Sequence, residues 1–504
     1  MNITDTNFNF AKFIFEQSKL YPDKIAFIDD QETITYKQLE ERSRGFAHSL
    51  STLGLLTEDR VLISMSDTVN LPIAILGCIL GGYIAILTNP RAIKPTAKYY
   101  IEISFCRAIL IDDVSNNLIN ECIVETLHKP TYIIGSKKFS ELSLASNYDP
   151  PTTVRDASAY WLFTSGGAGE PKAAVHTHRA MHGVGFNLGV KTWQYKADDV
   201  VYSAAKLFFA YGLCHSFECA LTAGCTVILM SKFPTTNSVV TLFKDHKPTL
   251  FAAVPSFYSA LINSEFDLSN LSMRFCISAG EALPIPILEK WEMKTNIPVY
   301  DLYGTTEFTG ALLCNRKGTS KLGTVGKPVH GYECEIRDDI GNILGTDEIG
   351  NMYLKGPSMA THYHNDVEKS RKTFVGEWCY SGDRFKQDSE GYFIFVGRSN
   401  EMFKIHGNWV APLEIENIIL QHEFVQEVGV TDLIGPDGLS YGVACISLKP
   451  GSIAPTNLEY SIKSLIRHKI EHFKCPKIIK IVESLPKNFN GKIVRGKLKE
   501  LFLE

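Results

Sequence analysis

The stretch AYWLFTSGGAGEPKAAVHTH, Ala159 to His178, decides how the rest of the chain is read. Its apolar start, Ala159 to Phe163, has the length and aromatic content of a buried strand. The strand feeds into Thr164, Ser165, Gly166, Gly167, Ala168 and Gly169. Such small residues let backbone amides approach an anion closely. Lys172 then adds a positive charge. A strand, a glycine-rich turn and a lysine suit a phosphate cradle of the kind found in α/β proteins, and taken alone suit a tight structural turn equally well. It is not a Walker A loop, which ends in GK[ST], because Lys172 stands between Pro171 and Ala173.

Outward from this loop, strand-like runs alternate with helical patterns. KIAFI (24–28), RVLISM (60–65), VVYSAAKLFF (200–209), GCTVILM (224–230) and PTLFAAVP (248–255) read as strands. From Thr35, Leu39, Phe46 and Leu50 fall at helical spacing, and the pattern ends at Gly54. The alternation predicts an α/β protein with largely parallel sheets. The apolar segment Leu71–Leu87 is shorter than the ~20 residues that span a bilayer, and Gly81-Gly82 breaks it. It reads as a buried helix running into a buried strand. In Gly391–Glu416 a charged centre, Arg398 to Glu401, separates two apolar stretches. Beyond it, EVGVTDLI, YGVACISL and YSIKSLIRHKIEHF form a strand and helix pattern of their own. A domain junction is placed near Asn400, giving domains 1–399 and 400–504. Neither repeats nor low-complexity linkers occur.

The chain has 504 residues, 45% of them apolar, enough for more than one domain. A formal net charge of −4 excludes a nucleic-acid surface as the expectation. Twelve cysteines without a CxxC pair predict buried thiols in a reducing compartment, not disulfides or a structural zinc site. MNITDTNFNFAKF has no basic, then apolar, leader pattern, and the C-terminal Phe-Leu-Glu is no peroxisomal address. The expectation is a soluble cytoplasmic protein with no membrane partner.

Four further pieces follow the loop in order: DLYGTTEF (301–308), WCYSGDRF (378–385), GRSNEMFKIHG (397–407) and LPKNFNGKIVRGKL (485–498). Together the five resemble the adenylate-forming superfamily of acyl-CoA ligases, peptide-synthetase adenylation domains and luciferases, over essentially the whole chain. KLFFAYGL (206–213), SAGEALP (278–284) and GTVGKPVHGYECEIRD from Gly323 look most like benzoate-type aryl acid:CoA ligases. The resemblance implies a large N-terminal domain of stacked, mostly parallel sheets flanked by helices, a small barrel-like sheet, and a small mobile α+β C-terminal domain. It also implies a reaction in two steps. ATP and a carboxylic acid give an acyl-adenylate and pyrophosphate; the acyl group then passes to the thiol of coenzyme A, after the C-terminal domain has rotated. A monomer or homodimer is implied.

The resemblance assigns roles to residues. Glu307 matches the magnesium ligand, a hard anion for a hard Mg2+ cation. Thr306 matches the residue at the α-phosphate. Thr164, Ser165, Gly166, Gly167, Gly169 and Lys172 would hold phosphates. Asp383 would accept both ribose hydroxyls, with Arg398 as ribose and phosphate partner. Gly280, Glu281 and Ala282, with Asp301, Leu302, Tyr303 and Gly304, would flank the adenine. Lys492 matches the catalytic lysine that offsets charge in the transition state. Lys404 and Gly407 lie on the face implied for thioester formation. Asn400 occupies the hinge position, where aspartate is common; asparagine tolerates unusual dihedrals nearly as well.

Phe208, Phe209, Ala210 and Tyr211, with Ser278 and Ala279, would line the acyl pocket. Amino-acid adenylation domains carry an aspartate at the position of Ala210. Its absence argues against an α-amino acid, whose buried ammonium would lack a partner. Aromatic residues there suit a small aryl acid; a medium-chain fatty acid is the runner-up. Gly167 and Ala168 stand where the family carries hydroxyls, and Ala173 where it has glycine. Each lost hydrogen bond costs roughly 0.5–1.5 kcal/mol, so adenylation is expected to be weakened but retained. Two alternatives accompany the ligase reading. One is an enzyme that loads a carrier-protein phosphopantetheine. The other is an impaired homologue that binds a nucleotide or a partner.

Overall fold

A computed structural model describes residues 5–164, 170–405, 408–436, 438–449, 451–487 and 493–502. Contacts divide the chain into two compact units: Met1–Leu283 with Ile287–Cys334 and Leu354–Tyr380, and Pro284–Pro286 with Glu335–Tyr353 and Ser381–Glu504.

In the first unit the helical pattern after Thr35 forms Tyr36–Thr52. Thr35 and Gln38 cap its start reciprocally, which satisfies two otherwise orphaned amides. Gly54, at φ 81°, turns the chain after its end. The segment that resembled a membrane span is helix Asn70–Leu80 followed by strand Ile84–Leu87, with every residue from Leu71 to Leu87 buried. Gly77 lets this helix lie against Tyr36–Thr52: a Cβ there would come within 2.9 Å of the Phe46 ring. No helix among the described residues is long and apolar enough to cross a membrane.

Two large sheets carry this unit. One has seven strands in the order His362–Tyr363, Lys172–Thr177, Ser158–Thr164, Ile84–Leu87, Arg60–Ser64, Ala108–Ile111 and Tyr132–Ile134. The other has nine, in the order Lys327–Pro328, Ala311–Cys314, Val299–Gly304, Phe275–Ser278, Leu250–Ala253, Val200–Ser203, Thr226–Ile228, Ile25–Ile28 and Thr33–Thr35. The central strands of both are parallel and largely buried, as near-continuous apolar runs require. A third sheet comprises Glu333–Arg337, Gly350–Lys355, Phe374–Val375, Trp378–Gln387 and Phe393–Arg398. The sequence extended one strand from Val200 to Phe209; it stops at Ser203, and Ala210–Leu213 begins a helix. That helix runs into a π-helical stretch, Cys214–Cys219, packed on a second one, Val184–Thr192. Gly185 and Gly189 allow the approach: a Cβ at Gly189 would meet Cys219 Cβ at 2.8 Å.

In the second unit, strands Val425–Ile434 and Ser440–Leu448 pair antiparallel, and Ile478–Ile481 adds in parallel. Helices Pro412–Ile419 and Leu458–Arg467 bury Ile415, Ile419, Ile462 and Ile466 with Val430 and Ile446 of this sheet. The mixed α/β fold class is the one the sequence predicts.

Candidate active site

Parallel strands deliver the first group of residues. Ser278 ends Phe275–Ser278 and is in register with Asp301 of Val299–Gly304. Such strand ends are where open α/β sheets bind ligands. Asp301 is buried and accepts from the amides of Leu283 (3.2 Å) and Leu302 (3.1 Å). Burial outweighs those bonds and pushes its pKa up to about 8. Ser278 Oγ and Thr305 Oγ1 are buried without a hydrogen-bond partner among the described residues. Buried hydroxyls of this kind are normally paired, so the strand ends carry donors that fit a polar ligand. Gly280, at φ 91°, and Glu281 are exposed, Ala282 is half-buried, and Ala279 and Leu302 are buried. Tyr303 is half-buried and Gly304 exposed.

The second group gathers around a residue that sequence reasoning missed. Tyr363 Oη donates to Glu307 Oε1 at 2.5 Å, and Lys172 Nζ donates to the same phenol oxygen at 3.3 Å. Lys172 Nζ also lies 4.3 Å from the Tyr363 ring centroid, within cation–π range. Strand pairing sets this up, with Tyr363 opposite Ala174 and the Ala360 amide on the Glu307 carbonyl at 2.7 Å. Thr306, beside Glu307, is half-buried, and Thr164 pairs with Lys172 across the hairpin. Among the described residues no three His, Cys, Asp or Glu side chains cluster as a metal cage. A cation at Glu307 would therefore take its other ligands from phosphate and water, as Mg2+ commonly does.

A buried polar line, also missed, runs beneath this motif. Tyr160 Oη bonds Glu218 Oε1 (2.9 Å) and Thr309 Oγ1 (2.6 Å), and Thr309 Oγ1 lies 3.3 Å from His176 Nδ1. Thr309 has φ 57°, unusual for a β-branched residue. Burial pushes the His176 pKa down to about 3, although the backbone of Thr306 and Ser358 favours its charged form.

The acyl-pocket candidates sit on a fixed segment. The Leu207 amide donates to Asp67, while Lys206 Nζ donates to the Met230 carbonyl and, at 2.6 Å, to that of Lys232. Burial raises the Asp67 pKa to about 6 despite the Lys206 charge. The Phe208 and Phe209 rings are 4.3 Å apart. Tyr211 Oη lies 3.1 Å from the Ala253 carbonyl and 3.0 Å from that of Ile277, at the ends of two central strands, with one proton to share between them. Ala210 is half-buried.

In the second unit Asp383 and Arg398 face each other across a hairpin, with Nε to Oδ1 at 3.8 Å. Asp383 is buried and Arg398 exposed. Asn400 is exposed in the following turn, and Lys404 lies 4.7 Å from the Trp409 ring centroid. Ser165, Gly166, Gly167, Gly169, Gly407 and Lys492 lie outside the described residues. The chain flanking residue 492 is anchored by a Lys487–Ile493 bridge and by the Val494 amide on the Pro486 carbonyl (2.8 Å). Arg495 pairs with Glu401 (2.9 Å) and, through two nitrogens, with Glu416. The structure thus joins Lys172 to Glu307, Ser278 to Asp301 and Asp383 to Arg398.

Known proteins bear out the kind of chain this is. Residues 14–364 match the AMP-binding enzyme family, and 414–492 match the AMP-binding enzyme C-terminal domain. The 4-hydroxybenzoate--CoA/benzoate--CoA ligase of Rhodopseudomonas palustris is 35% identical over 492 residues, 95% of this chain and 91% of the relative. The benzoate--CoA ligase of Thauera aromatica is 34% identical over 486 residues, 94% and 92% of the two chains. A benzoate CoA ligase structure from Burkholderia xenovorans LB400 superimposes with a TM-score of 0.91 at 35% identity, covering 97% of this chain and 99% of that one. The anthranilate CoA ligase AuaEII in complex with anthranoyl-AMP gives 0.93 at 28% identity, covering 99% of each chain. By sequence and by fold alike, this chain belongs to the AMP-binding, adenylate-forming enzyme family.

Proposed function

We propose that the chain is an AMP-forming acid:CoA ligase. It uses ATP to convert a small aryl carboxylic acid to its acyl-adenylate and then transfers the acyl group to coenzyme A. The observation that carries this reading is the convergence of Lys172 and Glu307 on one phenol oxygen. A phosphate-neutralising cation and a hard carboxylate ligand for a divalent ion are held side by side. Mg2+ would neutralise phosphate oxygens and so favour attack by the substrate carboxylate. Thr306 stands next to Glu307 for the α-phosphate. Asp383 and Arg398 are assigned to the ribose, Gly280 to Ala282 with Asp301 to Gly304 to the adenine, and Ser278 and Ala279 with Phe208 to Tyr211 to the acid. Lys492 is assigned to the reacting carboxylate, and Asn400 to the hinge about which residues 400–504 rotate to bring Lys404 and Gly407 into use.

The names of the relatives support a benzoate, hydroxybenzoate or anthranilate as the acid. The absence of a carboxylate at Ala210 supports an acid without an α-ammonium. All twelve cysteines are unpaired, which supports a cytoplasmic setting. The working unit is a monomer or homodimer.

Acid-dependent exchange of labelled pyrophosphate into ATP tests the reading across benzoate, hydroxybenzoates, anthranilate and medium-chain fatty acids. Exchange with an aryl acid, followed by acyl-CoA formation and abolished in Lys492→Ala, is the expected result. Exchange without acyl-CoA points to a carrier-protein thiol as acceptor. Absence of exchange with every acid overturns the adenylation reading.

A further inference from the structure

We propose that Tyr363 is a positioning residue of the nucleotide site, fixing the Glu307 carboxylate for a divalent cation and holding Lys172 beside it. The proposal rests on the adenylation reading, in which Glu307 receives that cation.

A phenol has one proton to give. At 2.5 Å from Glu307 Oε1 that proton goes to the carboxylate, a separation typical of a hydroxyl bound to an anion. Lys172, 3.3 Å away, can only donate. The order Lys172 to Tyr363 to Glu307 is therefore directional, and the ammonium polarises the phenol toward the carboxylate. Oε1 is thereby committed, leaving Oε2 for a cation and fixing the carboxylate's orientation. This is how groups behind a metal ligand set its geometry.

Tyr363 is well placed for the task. It is 2% exposed. Its amide donates to Ser370 Oγ at 2.9 Å, and its neighbours Thr361 and His364 bond the carbonyls of Val175 and Ala173 at 2.9 Å each. The Phe374 ring packs 5.2 Å from its own. The phenol is thus held by the same hairpin that begins with Lys172.

The test measures cation binding apart from turnover. Mn2+ with α,β-methylene-ATP is titrated by electron paramagnetic resonance against the unaltered protein, Tyr363→Phe and Glu307→Gln. Tyr363→Phe keeps the ring beneath Lys172 and removes only the hydroxyl. It is expected to weaken Mn2+ binding about tenfold, with the KM for the acid unchanged. Unaltered binding in Tyr363→Phe beside a loss in Glu307→Gln overturns the positioning role and leaves the adenylation reading standing. Equal binding in all three proteins overturns both. Circular dichroism melting checks the fold. If Tyr363→Phe melts early, p-aminophenylalanine incorporated at position 363, which keeps the ring and puts an N–H donor where the phenol stood, takes its place. Binding by that variant close to that of the unaltered protein supports the role, and a loss as large as that in Glu307→Gln overturns it.

Discussion

Tyr160 Oη lies 2.9 Å from Glu218 Oε1 in the interior of the first unit. Both side chains are buried, and burial raises the pKa of each well above its ordinary value. Burial thus favours the neutral form of both groups, and among the described residues Glu218 Oε2 has no partner. Through Tyr160 the pair braces Thr309, the positive-φ residue two places after Glu307.

Shortening Glu218 separates its packing from its hydrogen bond. Glu218→Gln retains an acceptor for Tyr160 and is expected to cost less than about 1 kcal/mol. Glu218→Ala leaves a void in a packed interior and is expected to cost about 2–4 kcal/mol. Urea unfolding of the two variants measures the difference.

Arg495 neutralises Glu416, whose side chain is only 6% exposed, and reaches Glu401 as well. Arg495→Met leaves Glu416 buried with its charge unanswered, a loss expected to reach about 3–5 kcal/mol. Hydrogen exchange should accelerate in Val425–Ile434, because the Val430 amide also depends on Glu416. Amides of Phe275–Ser278, in the other unit, should exchange as before.

Stability should peak near pH 6.5. Burial holds His176 and His215 at about 3, and His178 and His182 at about 4, against 6.5 when unfolded. The unfolded chain then binds more protons, so the stability from these groups is complete above pH 6.5 and lost as pH falls toward 4. Each contributes up to about 1.4 kcal/mol per pH unit. Asp67 and Asp301 run the other way, with folded values raised from 3.8 to about 6 and about 8. Their contribution is complete below 3.8 and lost as pH rises through those values. With His364, also held at about 4, five histidines outweigh two aspartates on the acid side, and on the alkaline side Asp301 is joined by Glu218, whose pKa burial also raises. A melting-temperature profile checks the peak, and Asp301→Asn should flatten its alkaline limb.

Returning hydroxyls to the glycine-rich loop should strengthen ATP use. Gly167→Ser combined with Ala168→Thr adds two donors at positions where the family carries them. At roughly 0.5–1.5 kcal/mol each, the pair should lower the KM for ATP about tenfold. Steady-state pyrophosphate exchange at varied ATP measures it.

What the sequence made legible was mostly local. The helical spacing of Leu39, Phe46 and Leu50 announced the helix that follows Thr35, and the glycine pair after Leu80 separated helix from strand. Lys172 and Glu307 were found through their motifs. The phenol that links them was not, because Tyr363 is 191 residues from Lys172 and 56 from Glu307. Only the pairing of His362–Tyr363 with Lys172–Thr177 brings them together. The THYHND segment carried a readable tyrosine and histidines, but no periodicity distinguishes them from a surface loop. Glu218 was hidden for a related reason. It sits in a π-helical turn whose wide spacing no apolar repeat announces, and its partner is 58 residues upstream. Where the strand from Val200 would stop was also illegible, because the buried Asp67–Lys206 arrangement that ends it is long-range.

The unpaired thiols have a consequence at the bench. All but Cys334 and Cys475 are shut inside the folded chain, away from oxidants, and even Cys214 and Cys219, with sulfurs 4.0 Å apart, stay unbonded thiols there. Once the protein is opened by heat or denaturant, twelve sulfhydryls become neighbours in a flexible polymer, free to cross-link in air. Recovery after unfolding should therefore depend on the reductant in the buffer, and scrambled material should accumulate in its absence.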